Sequence, residues 1–366
     1  MSLPEPDPLA PYGWTAAWDE AFEPFAARDL APGRVILEHT HIYRLVTREG
    51  ERLAHVSGRF RHTAAGRQEF PAVGDWIAYR LDAAGGRALI HGVLPRRSRF
   101  SRKTAGATTD EQVAAANIDT VFLVMGCDQD FNLSRLERYL VLAWESGAVP
   151  AIVLNKADTS AAAAEKQAIV ERQARGVPVH LTSARTGEGL EALSPYLAQG
   201  RTVALLGSSG VGKSSLINRL LGQDLLAVRE VRESDSRGRH TTRHRQLVLL
   251  PGGGMVIDTP GMRELHLWDA SQGIDETFDD LLQLAQGCRF RDCEHRAEPG
   301  CAVRAAVETG TLPAHRLENY LKLQAEHRVL EARQDQRAQQ ESKRRSEILA
   351  RAVREMKKLK PGNDDR

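Results

Sequence analysis

The sequence predicts a multidomain α/β protein with three folded parts. These are an N-terminal β-barrel of the oligonucleotide-binding (OB) type, a central phosphate-loop α/β domain and a C-terminal zinc-binding helical domain. Three observations carry this. Short β-type segments crowd the stretch from Pro32 to Pro95. A glycine-rich loop lies between an apolar run and a helical run at Gly207–Ser215. Three cysteines and a histidine cluster between Cys288 and Cys301.

The chain has 366 residues and a formal net charge of +2, too long for one nucleotide-binding domain and without a global charge bias. No twenty-residue apolar run and no charged-then-apolar N-terminal pattern is present, so a cytoplasmic protein without a membrane segment is expected. Pro4, Pro6, Pro8 and Pro11 predict a loose, flexible leader over residues 1–30.

Residues 31–100 carry the expected barrel. Arg34-Val35-Ile36-Leu37, Tyr43-Arg44-Leu45-Val46, Val56-Ser57-Gly58, Asp75-Trp76-Ile77-Ala78-Tyr79 and Ala88-Leu89-Ile90 read as strands separated by glycine turns. Five short strands suit a small closed barrel that binds nucleic acid. Arg59, Arg61, Arg67 and the run Arg96-Arg97-Ser98-Arg99-Phe100-Ser101-Arg102-Lys103 are expected to contact phosphates, with one aromatic interleaved.

Residues 110–268 carry the nucleotide site. Val149-Pro150-Ala151-Ile152-Val153-Leu154 reads as a buried strand that ends in Asn155-Lys156-Ala157-Asp158. The Asp158 carboxylate can accept from N1–H and the 2-amino group of guanine. Adenine offers no such donor pair, so GTP is expected over ATP. Asn155 would brace the loop, and the Lys156 stem would lie along the base. Ser183-Ala184, after Val179-His180-Leu181-Thr182, fits the short element whose backbone N–H meets guanine O6.

Thr202-Val203-Ala204-Leu205-Leu206 then predicts the strand before Gly207-Ser208-Ser209-Gly210-Val211-Gly212-Lys213-Ser214-Ser215. The loop's N–H groups and the helix N-terminus would cradle phosphates, Lys213 would reach the β- and γ-phosphates, and Ser214 would ligate Mg²⁺. Met255-Val256-Ile257 leads to Asp258-Thr259-Pro260-Gly261, where Asp258 would hold Mg²⁺ through water and Gly261 N–H would sense the γ-phosphate. Leu247 to Leu250, a glycine turn and Met255 to Ile257 predict a hairpin that adds one antiparallel strand to a parallel sheet.

Between loop and hairpin, Gly238-Arg239-His240-Thr241-Thr242-Arg243 offers a magnesium-contacting threonine, Thr242 in preference to Thr241. Met262 occupies the place where many GTPases position the attacking water with glutamine. His240 is therefore the candidate catalytic residue, an exposed histidine that meets RNA being the alternative. The order is unusual: the guanine reader precedes the phosphate loop. One sheet holds both only if the domain is circularly permuted, which neighbouring termini make sterically cheap.

In residues 275–330, Cys288-x4-Cys293-x-His295-x5-Cys301 supplies three thiolates and an imidazole, the closed shell that structural Zn²⁺ prefers. Cys127, far upstream, reads as a core residue. Leu317, Tyr320, Leu321 and Leu323 give an apolar stripe, and residues 331–366 predict a basic helical or disordered tail.

From about residue 30 to 330 the chain resembles the ribosome small-subunit-dependent GTPase A family of circularly permuted GTPases. Pro71-Ala72-Val73-Gly74-Asp75, Ala115-Ala116-Asn117-Ile118-Asp119, the permuted order, Gly238-Arg239-His240-Thr241-Thr242 and the cysteine spacing carry the resemblance. It implies an OB barrel, a GTPase and a zinc domain acting in late maturation of the small ribosomal subunit. It further implies rRNA binding near the decoding region and subunit-stimulated hydrolysis. Arg243 stands where many relatives carry another threonine, which leaves the register of Thr241 and Thr242 open. Nothing in the sequence suggests obligate assembly, so a monomer is expected. Two rival readings are a nucleotide-gated RNA-binding module and an enzyme acting on a small molecule with the zinc site catalytic, which the closed three-Cys, one-His shell speaks against.

Overall fold

A computed structural model of the chain describes residues 6–39, 42–82, 86–103, 111–222, 245–258 and 270–332. The chain divides into two compact units, Met1–Gln283 and Leu284–Arg366.

The first unit opens with helix α1, Ala16–Ala26, where a loose leader was expected. Pro4, Pro6, Pro8 and Pro11 lie ahead of it, and Pro24 lies inside its last turns. Trp18 and Phe22, four residues apart, lie on one face of α1 and are buried, and Trp14, just ahead of the helix, is buried with them. Trp14 meets Trp76 edge-on with centroids 4.8 Å apart, and Trp18 lies 6.0 Å from the same ring. This stripe, not the proline content, decides the segment's structure.

The barrel consists of β1 (Ala31–His39), β2 (Ile42–Thr47), β3 (Gly50–Val56), β4 (Trp76–Leu81) and β5 (Ala88–Val93), with α2 (Gly58–Thr63) between β3 and β4. The strands pair in the order β1-β2-β3-β5-β4, and β1 pairs with β4 to close the ring. Val35, Tyr43, Leu45, Ile77 and Ile90 fill the interior. Four of the expected strands match β1, β2, β4 and β5. The third was expected at Val56-Ser57-Gly58, whereas β3 is Gly50–Val56 and Ser57 and Gly58 begin α2, because the Ser57 hydroxyl caps that helix.

A hairpin of β6 (Arg99–Lys103) and β7 (Glu111–Ala116) leads into the second sheet region. There β8 (Thr120–Gly126), helix α3 (Leu133–Ser146), β9 (Val149–Asn155), helix α4 (Ala163–Gln173), β10 (Val179–Leu181), β11 (Thr202–Leu206), helix α5 (Lys213–Leu221), β12 (Arg245–Leu249) and β13 (Met255–Asp258) follow in chain order. Strands β10, β9, β8, β11 and β13 run parallel in that spatial order, and β12 pairs antiparallel with β13, as the glycine turn predicted. The link between β10 and β11 is a 3-10 segment, Leu190–Leu197, that contains Pro195. This short link is what makes the permuted order sterically possible.

Barrel and nucleotide sheet are continuous. β1 pairs antiparallel with β12 at Leu37↔Gln246 and Glu38↔Arg245, so eleven strands form one hydrogen-bonded sheet. Arg34, 2% exposed, fastens the joint. Its guanidinium donates to Gly74 O at 3.2 Å, Asn117 O at 3.2 Å, Thr202 Oγ1 at 2.9 Å and the Tyr12 carbonyl. Burial lowers its pKa to about 10 while Asp119 and Asp75 oppose the shift, so the charge persists at neutral pH. Gly74 has φ +93°, and a Cβ there would lie 2.1 Å from Ala116 O. Only glycine fits this close approach.

Arg96 departs from the sequence expectation. It is not a free phosphate contact. Its Nε and Nη2 bond to the fully buried Asp75 carboxylate at 2.9 and 2.7 Å, and further N–H groups reach Gln68 O and Phe70 O. Arg97 lies over Trp18, 4.3 Å from its ring centroid. The run from Arg96 to Lys103 is thus partly structural, because a basic string in sequence does not reveal which cations find buried acceptors.

Helix α6 (Ser271–Thr277) lies against α3, where Gly273 allows close approach to Val141 O. Helix α7 (Asp279–Ala285) leads to the second unit. That unit contains helix α8 (Ala302–Glu308) and a helix α9 over residues 314–332. Leu317, Tyr320 and Leu323, the expected stripe, are buried. Among the described residues no helix is long and apolar enough to cross a membrane.

Candidate functional site

The nucleotide elements meet at the C-terminal ends of the parallel strands, where α/β sheets gather ligands. β11 is wholly buried and delivers Gly207 to the surface end of the sheet. Gly210 and Gly212 have φ of +76° and +97°, which turn the loop so that α5 starts at Lys213. A Cβ on Gly212 would lie 2.4 Å from the Asn155 amide nitrogen. Lys213 folds its amine back onto the loop, donating to Gly207 O at 2.7 Å and Ser208 O at 2.6 Å. Ser214 and Ser215 occupy the first turn of α5.

Asn155 is the junction of the site. It is 1% exposed, its amide donates to Val211 O at 2.9 Å, and its Oδ1 accepts from Ala184 N–H at 3.0 Å. One side chain thus joins the strand-end loop, the phosphate loop and the Ser183-Ala184 element. Lys156 has φ +60°, and its amine sits 2.7 Å from Asp128 Oδ2. Ala157 N–H donates to Thr182 O at 3.0 Å and keeps Asp158 beside Ser183. The Ser183 hydroxyl bonds to Asp158 and lowers its pKa, burial opposes this, and the Arg185 charge adds to the lowering. Arg185 lies 2.5 Å from Asp158 Oδ2. The carboxylate is therefore held ionised.

Asp258 ends β13. Ala204 pairs with Ile257, so the Asp258 backbone is level with Leu205, two residues before the phosphate loop. Gly261, His240, Thr241 and Thr242 lie outside the described residues.

Sequence reading missed the loop after β8. Ser208 Oγ donates to Asp130 Oδ1 at 2.5 Å, Arg135 donates to the same oxygen at 2.7 Å, and Asp128 N-terminal to it anchors Lys156. Against the cost of burial, the Lys156 bond holds the Asp128 carboxyl below its ordinary value. The available signal was position: Cys127-Asp128-Gln129-Asp130 directly follows an apolar strand, where a parallel sheet presents its ligand end. Cys127 itself is fully buried.

In the second unit, Cys288, Cys293, His295 and Cys301 bring their ligand atoms within 4.8 Å of one another. Cys288 Sγ lies 3.7 Å from His295 Nδ1 and 3.9 Å from Cys301 Sγ, and His295 Nδ1 lies 3.4 Å from Cys301 Sγ. A tetrahedron with metal–sulfur bonds of about 2.3 Å has edges of about 3.8 Å, so the spacing fits a metal ion. Burial lowers the His295 pKa and keeps its imidazole in the neutral, ligating form. At Cys288 burial is outweighed by N–H donors of Val303 and Ala302, and its thiol falls below its ordinary value. Cys293 is pushed up to about 11 by desolvation and by the neighbouring thiols. The cluster can hold a metal ion.

Comparison with known proteins gives one answer. A family model described as RsgA GTPase matches residues 93–268. The chain is 49% identical over 336 residues to a small ribosomal subunit biogenesis GTPase RsgA of Opitutus terrae, covering 89% of this chain and 92% of that protein. It is 50% identical over 294 residues to an RsgA 2 of Lactiplantibacillus plantarum, covering 80% and 82%. The crystal structure of YjeQ from Thermotoga maritima superposes with a TM-score of 0.61 at 30% identity, over 81% of this chain and 98% of that one. YloQ, a circularly permuted GTPase, superposes with a TM-score of 0.57 at 24% identity, over 82% and 95%, and supports the fold. The Asn155–Asp158 loop, the phosphate loop and the Asp258 strand stand in permuted order on one sheet, and the chain belongs to the RsgA GTPase family.

Proposed function

We propose that the chain is a GTPase that binds the small ribosomal subunit and its rRNA, and hydrolyses GTP to GDP and phosphate during late subunit maturation. The observation that carries the reading is Asn155, whose one amide joins the guanine-reading, phosphate-binding and Ser183-Ala184 elements. Family membership supplies the ribosomal partner.

In this reading Asp158 accepts from guanine N1–H and the 2-amino group, with Arg185 moving off its carboxylate. The N–H groups from Gly207 to Ser215 receive the phosphates, and Lys213 exchanges its two carbonyl partners for phosphate oxygens. Ser214, Thr242 and, through water, Asp258 hold Mg²⁺, which neutralises phosphate charge in the transition state. Gly261 senses the γ-phosphate. His240 orients the attacking water, because Met262 can neither donate to nor usefully accept from it.

The metal of the second unit is a structural Zn²⁺ on Cys288, Cys293, His295 and Cys301, with no open position for chemistry. The protein works in the cytoplasm as a monomer, with barrel, GTPase and zinc-binding parts near residues 31–100, 110–268 and 275–330.

GTP turnover with and without purified small subunits, together with co-sedimentation in GDP and in a non-hydrolysable GTP analogue, tests the reading. Turnover rises with small subunits and not with large ones. Nucleotide-dependent sedimentation without turnover would leave an RNA-binding module instead. His240→Ala keeps GTP affinity and sedimentation but loses most of the stimulated rate. Full stimulated turnover in that variant removes His240 from the mechanism.

A further inference from the structure

A pocket of about 230 Å³ opens on the barrel, lined by Arg28, Ser57, Arg59, Phe60, Thr63 and His91. It shares no residue with the nucleotide site or the cysteine cluster. Its parts come from separate elements: Arg28 precedes β1, Ser57 caps α2, Arg59 lies in α2 and His91 lies on β5. Among the described residues no carboxylate lines it, and the Arg28 and Arg59 guanidiniums have no ion-pair partner.

The pocket is electropositive by construction. Arg80 on β4 stands behind it, donating through Nη2 to Arg28 O at 2.6 Å and through Nε to Asp29 O at 3.2 Å, and so fixes the turn that carries Arg28. Asp29, beside Arg28 in sequence, is fully exposed and lies 3.8 Å from Arg80. His91 registers the field: burial and then the charges of Arg80, Arg28 and Arg59 hold its imidazole below its ordinary pKa. Ser57 Oγ accepts from Phe60 N–H at 3.2 Å and keeps its own proton to donate. Two unpaired guanidiniums, a hydroxyl and an imidazole N–H converge on a space with one half-buried aromatic wall. That set matches the oxygens of a phosphate group better than the flat face of a base.

We propose that this pocket binds one phosphate group of an RNA backbone and so fastens the barrel to its RNA partner. The assignment of the source rests on the rRNA-binding reading above. Uncompensated cations repel one another in the free protein, and a bound phosphate relieves that repulsion.

The test uses the full chain, a short fluorescent single-stranded RNA and the double variant Arg28→Gln/Arg59→Gln. A second double variant, Arg172→Gln/Arg175→Gln, loses the same charge at exposed positions on and after α4. The pocket variant is expected to bind RNA about tenfold more weakly at low salt, with the slope of log K against log salt reduced by about 0.7, one phosphate's worth on a single strand. Basal GTP turnover and the thermal melt stay as in the wild type. Equal weakening in the two variants, or none in the pocket variant, overturns the proposal.

A second arm follows the His91 ring by NMR in inorganic phosphate alone. A bound anion favours the imidazolium, so phosphate raises the pKa of His91. If it does so while RNA fails to bind, the RNA reading falls and the pocket stands as a site for free phosphate. If phosphate leaves the His91 titration unmoved, the pocket is not a phosphate site.

Discussion

The Asn155 amide donates to the Val211 carbonyl at 2.9 Å and ties the loop after β9 to the phosphate loop. The two loops lie far apart in sequence, yet neither is positioned without the other. Both loops therefore lean on one buried side chain.

Replacing it breaks both. Asn155→Ala leaves the Val211 carbonyl and the Ala184 N–H without their partner, a loss of about 2 kcal/mol. GDP and GTP affinity are expected to fall together by more than about tenfold, whichever phosphates are present. Isothermal titration decides it, and unchanged GDP affinity would contradict the coupling.

In the proposed function, guanine selection rests on Asp158. Asp158→Asn is expected to weaken GTP and to favour xanthine nucleotides, whose C2 carbonyl accepts from the new amide. A competition assay that still prefers GTP over XTP would sink the assignment.

The ionisation of Asp158 sets an acid limit. Its folded pKa is depressed from 3.8, so its contribution is present above 3.8 and is lost only as pH falls through the lower folded value. GDP affinity should therefore show no Asp158-dependent loss between pH 8 and pH 5. Ser183→Ala removes the first cause of the depression and should move the acid limb upward. A limb that stays in place would show that Ser183 does not tune this carboxylate.

The cysteine cluster makes a separable prediction. Cys293→Ala is expected to lose the bound metal and to loosen the second unit, because metal binding and folding share one free energy. GDP binding by the first unit should persist. Elemental analysis and GDP titration on the same sample check both halves, and full metal retention would disprove the four-residue shell.

Trp18→Ala tests the N-terminal stripe. Trp18 is 4% exposed, packed on Trp76 and covered by Arg97, and truncation of such a ring costs about 3–5 kcal/mol. Urea unfolding should show a lowered midpoint. A midpoint equal to that of the wild type would mean that the segment is not part of the folded core.

How far the sequence carried depended on whether local pattern or distant partners fixed each feature. The barrel strands and the phosphate loop were legible because turn glycines and apolar runs bound them locally. The four-residue cluster was legible because its ligands lie within one short span. Helix α1 was hidden by the prolines ahead of it, although the Trp18–Phe22 spacing was there to read. Arg96 was misjudged because its acceptors, Asp75, Gln68 and Phe70, lie more than twenty residues away. Asp130 was invisible for the same reason, since Ser208 stands 78 residues downstream.

The β1–β12 pairing also bears on what becomes of the nucleotide-binding part on its own. Without the barrel, β12 would become an edge strand with an open row of N–H and C=O groups. Such a row templates the addition of further strands, and Leu249, already 38% exposed, would offer them an apolar foothold. The barrel thus serves as a permanent cover against aggregation, and a truncated core would be expected to self-associate. Any descendant of this chain that sheds the barrel must find another way to blunt that strand.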